Sequence, residues 1–165
     1  VLKEIINICG DSLYNLKNEI DKICLMTEEK NLKIEHINFD SSLSRNRKRW
    51  ELMSSLGTRD LKKSIKLGKS IIDSSETMIS LIFPIVALFQ ELLFVKMNNG
   101  TFINPTSYIP LSTLLKNNIS NYANNFTVEE IKVAIKELKE IEIRQKTTNT
   151  DDESELINFI YNALG

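Results

Sequence analysis

Helix-breaking residues are scarce in this chain of 165 residues, which holds five glycines and three prolines. So few turn formers cannot supply the many tight reversals of a β-sandwich or barrel, and the apolar residues recur at three- and four-residue spacing rather than in alternation. The sequence reads as all-α, with no segment that has the period of a strand. Histidine occurs once, as His36, with no carboxylate or thiol spaced to complete a metal site or a base–nucleophile pair. Cysteine occurs twice. Cys9 and Cys24 are flanked by apolar helical positions and have no Cys or His at ligand spacing, which predicts buried thiols in a reducing compartment and a cytoplasmic protein. No charged segment followed by an apolar run and a cleavage site opens the chain, and Val1 already lies in a helical pattern, so the sequence reads as a fragment of something longer.

What is present is a balanced soluble composition: 42% hydrophobic, 26% charged, net charge −1. This excludes a disordered tail and a globally basic nucleic-acid binder, and the length suits one ordinary domain. The charge is nevertheless segregated. Arg45, Arg47, Lys48, Arg49, Arg59, Lys62, Lys63, Lys66 and Lys69 crowd one stretch, while the region from Glu129 to Glu155 is weighted toward acid.

Read for organisation, Gly10 closes a first helix containing Ile5, Ile6 and Ile8, and Asp11 or Ser12 caps a second that runs to Met26. A connection through residue 41 follows, with one short turn near Glu35 to Asn38. From Ser42 a basic helix extends to Leu56 and stops at Gly57, and Thr58 caps the next, which carries Leu61, Ile65 and Ile72 on one side with Gly68 among them. The run MISLIFPIVALFQELLFVKM, residues 78–97, is apolar around most of its circumference. Gln90, Glu91 and Lys96 argue for the centre of a bundle rather than a bilayer, with a kink or a start at Pro84. After a polar loop come a helix over Leu111 to Asn125 and then Thr127–Glu130, a capping box that opens an amphipathic helix with Ile131, Ala134, Leu138 and Ile141 on one face. Glu140 and Arg144 are spaced to pair on its other face. A last helix buries Leu156, Ile160 and Leu164. The predicted core is Trp50, Leu61, Ile65, Leu81, Phe89, Leu93, Ile131, Leu138 and Ile160.

No motif brings catalytic or cofactor chemistry. "GKS" at 68–70 fails as a phosphate loop because Lys63 stands where its first glycine belongs and no strand precedes it. The carboxylates at 151–155 lack the alternation and turn glycine of a calcium loop and suit a helix start instead. The one region with a physical reason to meet an anion is the basic pair of helices, and Arg45, Arg47, Lys48, Arg49, Lys62, Lys63 and Lys66 are its candidate DNA or phosphate contacts. It has little aromatic interleaving, since Trp50 falls in an apolar stripe with Met53 and Leu56, which predicts a buried ring rather than one stacked on a base.

Four stretches and the closing helix, taken in order and spacing, resemble the C-terminal part of the delta subunit of bacterial DNA polymerase III, the clamp-loader subunit: GDSLYNLKNEIDKI, RWELMSSLGTRDLKKSIKLGKSII, ISLIFPIVALFQELLFVKM and FTVEEIKVAIKELKEIEIRQK. The resemblance covers essentially the whole chain. It implies that residues 1–41 are the end of a small helical lid domain of an ATPase-like (AAA+-related) module, and that 42–165 form a helical collar, an all-α bundle that holds the loader pentamer together. It further implies a non-catalytic subunit without a cofactor, with gamma/tau and delta-prime type subunits as partners and no membrane. DNA is a possible ligand of the assembled loader, and the sliding clamp is held through an N-terminal module absent here. Where the family commonly has an aspartate and a lysine four residues apart, this chain has Glu142 and Lys146, which keeps the charge signs. Residues 101–112 match poorly, so no template-strand contact is carried over. The alternative reading is a helical nucleic-acid-binding module built on residues 45–69.

Overall fold

The structure, a computed structural model, describes residues 3, 5, 13–26, 41–72, 76–99 and 111–165. Seven helices have described bounds: α1 (Leu13–Met26), α2 (Ser41–Gly57), α3 (Leu61–Ile72), α4 (Met78–Met97), α5 (Thr113–Asn124), α6 (Val128–Thr147) and α7 (Asp152–Leu164). No strand occurs among the described residues, so the chain is an all-α bundle as its periodicity predicts. The expectations placed on Cys9, Gly10, Asp11, Ser12, His36, the turn at Glu35 to Asn38 and residues 101–110 lie outside the described residues.

Helix α4 is the hub. It packs against α2, α5, α6 and α7, and ten of its residues are buried. By length and composition it could cross a bilayer, yet 56% of that apolar stretch lies inside the bundle. Thr77 caps it by accepting a hydrogen bond from the Ser80 N–H at 3.3 Å, and the helix runs through Pro84 rather than starting there. At the centre Phe89 meets Phe126 and Phe159 edge to face, at centroid distances of 5.7 and 6.0 Å. All three rings are buried, and each contributes about 1.5–3 kcal/mol by leaving water. Leu81, Phe89, Ile131, Leu138 and Ile160 are buried in this core; Trp50, Leu61, Ile65 and Leu93 are only partly buried and pack against its edge. The Trp50 ring is thus a flank of the core, not its interior.

The α2–α3 corner corrects two readings. Gly57 is the last residue of α2, not its stop signal: a Cβ there would lie 2.5 Å from the Tyr122 ring, so glycine lets α5 come close. The chain turns two residues later, where Arg59 takes a left-handed backbone (φ 56°) and the N–H groups of Arg59 and Asp60 donate to the carbonyls of Leu56 and Ser55 at 3.0 and 2.9 Å. Thr58 bonds back to the Ser54 and Ser55 carbonyls, and Asp60 is the cap of α3, accepting from the Lys63 N–H at 2.9 Å. Thr58 cannot cap because its backbone still closes the preceding helix. Gly68 does serve close packing: a Cβ would meet Leu156 and Ile160 of α7 at 3.1 and 3.2 Å.

Helix α6 opens with the complete capping box, Thr127 accepting from the Glu130 N–H and Glu130 from the Thr127 N–H. Its Ile131, Ala134, Leu138 and Ile141 are buried. Arg144 does not pair with Glu140; it reaches α7 and binds Glu155 through two hydrogen bonds of 2.9 and 2.7 Å, a forked geometry stronger than a single surface pair. Glu140 sits 3.8 Å from Lys136 instead. Helix α1 makes no extensive contact with the other described helices. Its Ile23 is buried, but Leu13, Tyr14, Leu25 and also Cys24 are exposed, contrary to the buried thiol expected there.

Candidate interaction surfaces

The basic stretch splits into two populations. Arg47 pairs with Glu51 one turn on, Arg49 with Glu76, Arg59 with Glu130 and Lys69 with Glu153. Glu76 is only 8% exposed and also accepts from the Ser80 hydroxyl at 2.7 Å, so Arg49 and Glu76 form a partly buried anchor tying α2 to the start of α4. Lys62, Lys63 and Lys66 are exposed on α3, and among the described residues no carboxylate lies within ion-pair distance of them. Lys48 is half-buried, and the Arg45 side chain lies outside the described residues. Of the candidate phosphate contacts, then, Arg49 is engaged within the fold, Arg47 has a local partner, and the three lysines of α3 remain available.

Arg59 joins three helix ends. Its guanidinium donates to the Asn125 carbonyl at 3.1 Å and to Glu130 at 2.8 Å, approaches the Leu164 carbonyl at 3.5 Å, and lies 5.0 Å from the Phe126 ring centre. The C-terminus of α5, the N-terminus of α6 and the C-terminus of α7 are held by one cation, two of those contacts being to carbonyls at helix ends, where positive charge is favoured. The Thr127 backbone N–H, with Arg59 and the Thr127 hydroxyl next, holds the Glu130 carboxyl down to about 2. Nothing in the sequence marks Arg59 for this role, because its partners stand 66 to 105 positions away.

Among the described residues, the outer side of α4 exposes a line of apolar side chains. Ile79, Phe83, Phe94 and Met97 are exposed, Phe83 by 67% and Met97 by 73%, and Val86 and Gln90 fall on the same line at helical spacing. Leu114 on neighbouring α5 is half exposed. A stripe along a twenty-residue helix is about 30 Å long, which makes it an interaction surface rather than a scatter of single residues. At its edge, burial pushes the Glu91 carboxyl up, with the nearby Lys116 charge acting against that shift.

The Gly68–Ser70 stretch is mid-helix, with Lys69 paired to Glu153 at 3.0 Å, so its backbone N–H groups are not free to cradle a phosphate. Among the described residues no group of three His, Cys, Asp or Glu side chains is placed to hold a metal ion.

No protein-family model and no curated protein matches the sequence. Among solved structures the chain is similar to the Bacillus subtilis DNA clamp loader delta protein (YqeN), with a TM-score of 0.76 and 17% identity. The match covers 98% of this chain and 49% of that one, so the chain spans about half the length of that protein. At this identity the likeness shows a shared fold, an all-helical clamp-loader type of bundle.

Proposed function

We propose that this chain is a non-catalytic scaffold of a DNA clamp loader: the end of a delta-type lid domain over residues 1–41, followed by a collar over 42–165 that packs against gamma/tau and delta-prime type subunits in the cytoplasm. The observation that carries this reading is the fold likeness, which runs over nearly the entire chain while leaving the outer stripe of α4 uncovered. A collar subunit needs such a face, because ring assembly by helix packing requires about 800 Å² of buried surface per partner. Grip on the sliding clamp belongs, in this reading, to sequence outside these 165 residues.

The test is reconstitution with the other loader subunits, followed by size-exclusion chromatography. The chain should co-elute with them, and Phe83→Asp combined with Met97→Asp should abolish co-elution while leaving helical content and thermal midpoint unchanged, since both side chains already face water. A chain that stays alone where the complete delta subunit assembles rules the scaffold out.

A second reading, a nucleic-acid-binding face, is favoured by one observation: Lys62, Lys63 and Lys66 stand on one helix with no carboxylate partner among the described residues. It is the weaker of the two because Arg47, Arg49 and Arg59, three of the arginines that make the stretch look strongly basic, are already matched by carboxylates.

A further inference from the structure

Between α6 and α7 runs a groove made of a cavity of about 560 Å³ and an adjoining one of about 270 Å³, which share Val133, Glu137 and Asn162 as walls. Five carboxylates and three cationic side chains line it. Four of those carboxylates have cations of their own: Glu130 with Arg59, Glu129 with Lys132, Glu140 with Lys136 and Glu155 with Arg144. Glu137 differs. It is half-buried, and its hydrogen-bond partner is the neutral Asn162 amide, which donates at 2.7 Å; among the described residues no cation lies within ion-pair distance. Burial pushes its carboxyl up, against the Asn162 hydrogen bond and the Arg144 charge. A carboxylate withdrawn from water without a counter-ion costs stability in the isolated chain, and that cost is removed when a cation arrives from outside.

We propose that this groove receives an arginine side chain from a partner protein, with the guanidinium seated on Glu137 and its aliphatic stem along Val133. Val133 is 60% exposed and offers the apolar surface such a stem covers. A guanidinium fits better than an ammonium because it is less strongly hydrated and presents a planar fork to a carboxylate. Each of the three cations already in the groove has a carboxylate of its own, which offsets its repulsion of an incoming guanidinium: Arg144 is held by two bonds to Glu155, Arg59 pairs with Glu130, and Lys136 pairs with Glu140. No residue of α4 lines the groove, so this binding site does not require the clamp-loader role.

The test uses the full chain and a fluorescently labelled helical peptide with arginines along one face, followed by anisotropy. The peptide should bind, its glutamine-for-arginine counterpart should not, and Glu137→Gln should weaken binding roughly tenfold. The same substitution should leave the thermal midpoint unchanged or raised, since no charge is then desolvated. Glu142→Gln, which removes an exposed carboxylate paired with Lys146 outside the groove, should leave binding as it was. Equal weakening by both variants would mean unspecific charge attraction and overturn the proposal. So would an arginine peptide that fails to bind, or a Glu137→Gln chain that melts earlier yet binds unchanged.

Discussion

Arg49 and Arg59 come from the same basic stretch as Lys62, Lys63 and Lys66, but the fold treats the two groups oppositely. Arg49 reaches a nearly buried carboxylate 27 positions on, and Arg59 gathers the ends of three helices, whereas the lysines of α3 meet no carboxylate among the described residues. Charge density along a chain is therefore a poor guide to charge available for a partner. A planar guanidinium with several donors is suited to fixed internal contacts, while an ammonium on a flexible stem keeps its hydration at the surface. The basic stretch is partly structural reinforcement, and among its described residues the cations without a carboxylate partner are Lys48 on α2 and the three lysines of α3.

The comparison breaks most visibly at Glu76. Glu76→Ala leaves the Arg49 guanidinium partly buried without its counter-charge and should cost about 3 kcal/mol in denaturant unfolding, while Glu51→Ala, which removes the exposed partner of Arg47, should change stability by less than about 0.5 kcal/mol. Equal costs for the two would mean that Arg49 is no anchor.

Arg59 comes next. Arg59→Ala should cost about 2 kcal/mol through its bonds to three helix ends, and Arg59→Gly about 1 kcal/mol less than that, because glycine relieves the left-handed backbone. The same corner has an acid signature. Glu130 titrates near 2 in the folded chain against an ordinary 4.5, so its contribution is fully present above pH 4.5 and is lost as the pH falls toward 2. Glu130→Gln should remove that part of the acid sensitivity; the opposite slopes from Glu91 and Glu137, whose carboxyls burial raises, should persist.

The smallest effect on stability belongs to the lysines. Reversing Lys62, Lys63 and Lys66 to Glu together should move the unfolding midpoint little, about 0.5 kcal/mol or less, because none gives up an ion pair with the described residues. Yet if α3 binds nucleic acid, this variant should lower the slope of log affinity against log salt by about 0.9 for each phosphate it no longer neutralises. An unchanged slope removes the nucleic-acid reading.

What could be read in advance depended on the range of the interaction. The capping box of Thr127 and Glu130 and the Ile131–Ile141 face were legible because every partner lies within one or two helical turns. The cap of α3 lies two residues beyond the Thr58 that the sequence suggests, because the turn before it uses Arg59 in a left-handed conformation, where composition points to the nearby glycine. Gly57 looked like punctuation and proved to be clearance for Tyr122, a ring 65 positions away that no local pattern announces. Helical spacing puts Glu140 within reach of Arg144, but the bundle brings it a better-placed carboxylate, Glu155, on the next helix. Among the surfaces, the apolar character of residues 78–97 was plain, but not which side the bundle would leave bare.

By itself, then, the amino-acid order settled the helices, most of their ends and the apolar sides they must hide, since hydrogen bonds within a helix and its side-chain period are local properties of the backbone. Which cations would be bound internally, which side of α4 would stay open, and that Glu137 would sit half-buried without a counter-ion were decided only when the helices packed. Those outcomes rest on distances between residues far apart in the chain, and such distances exist only in the assembled bundle.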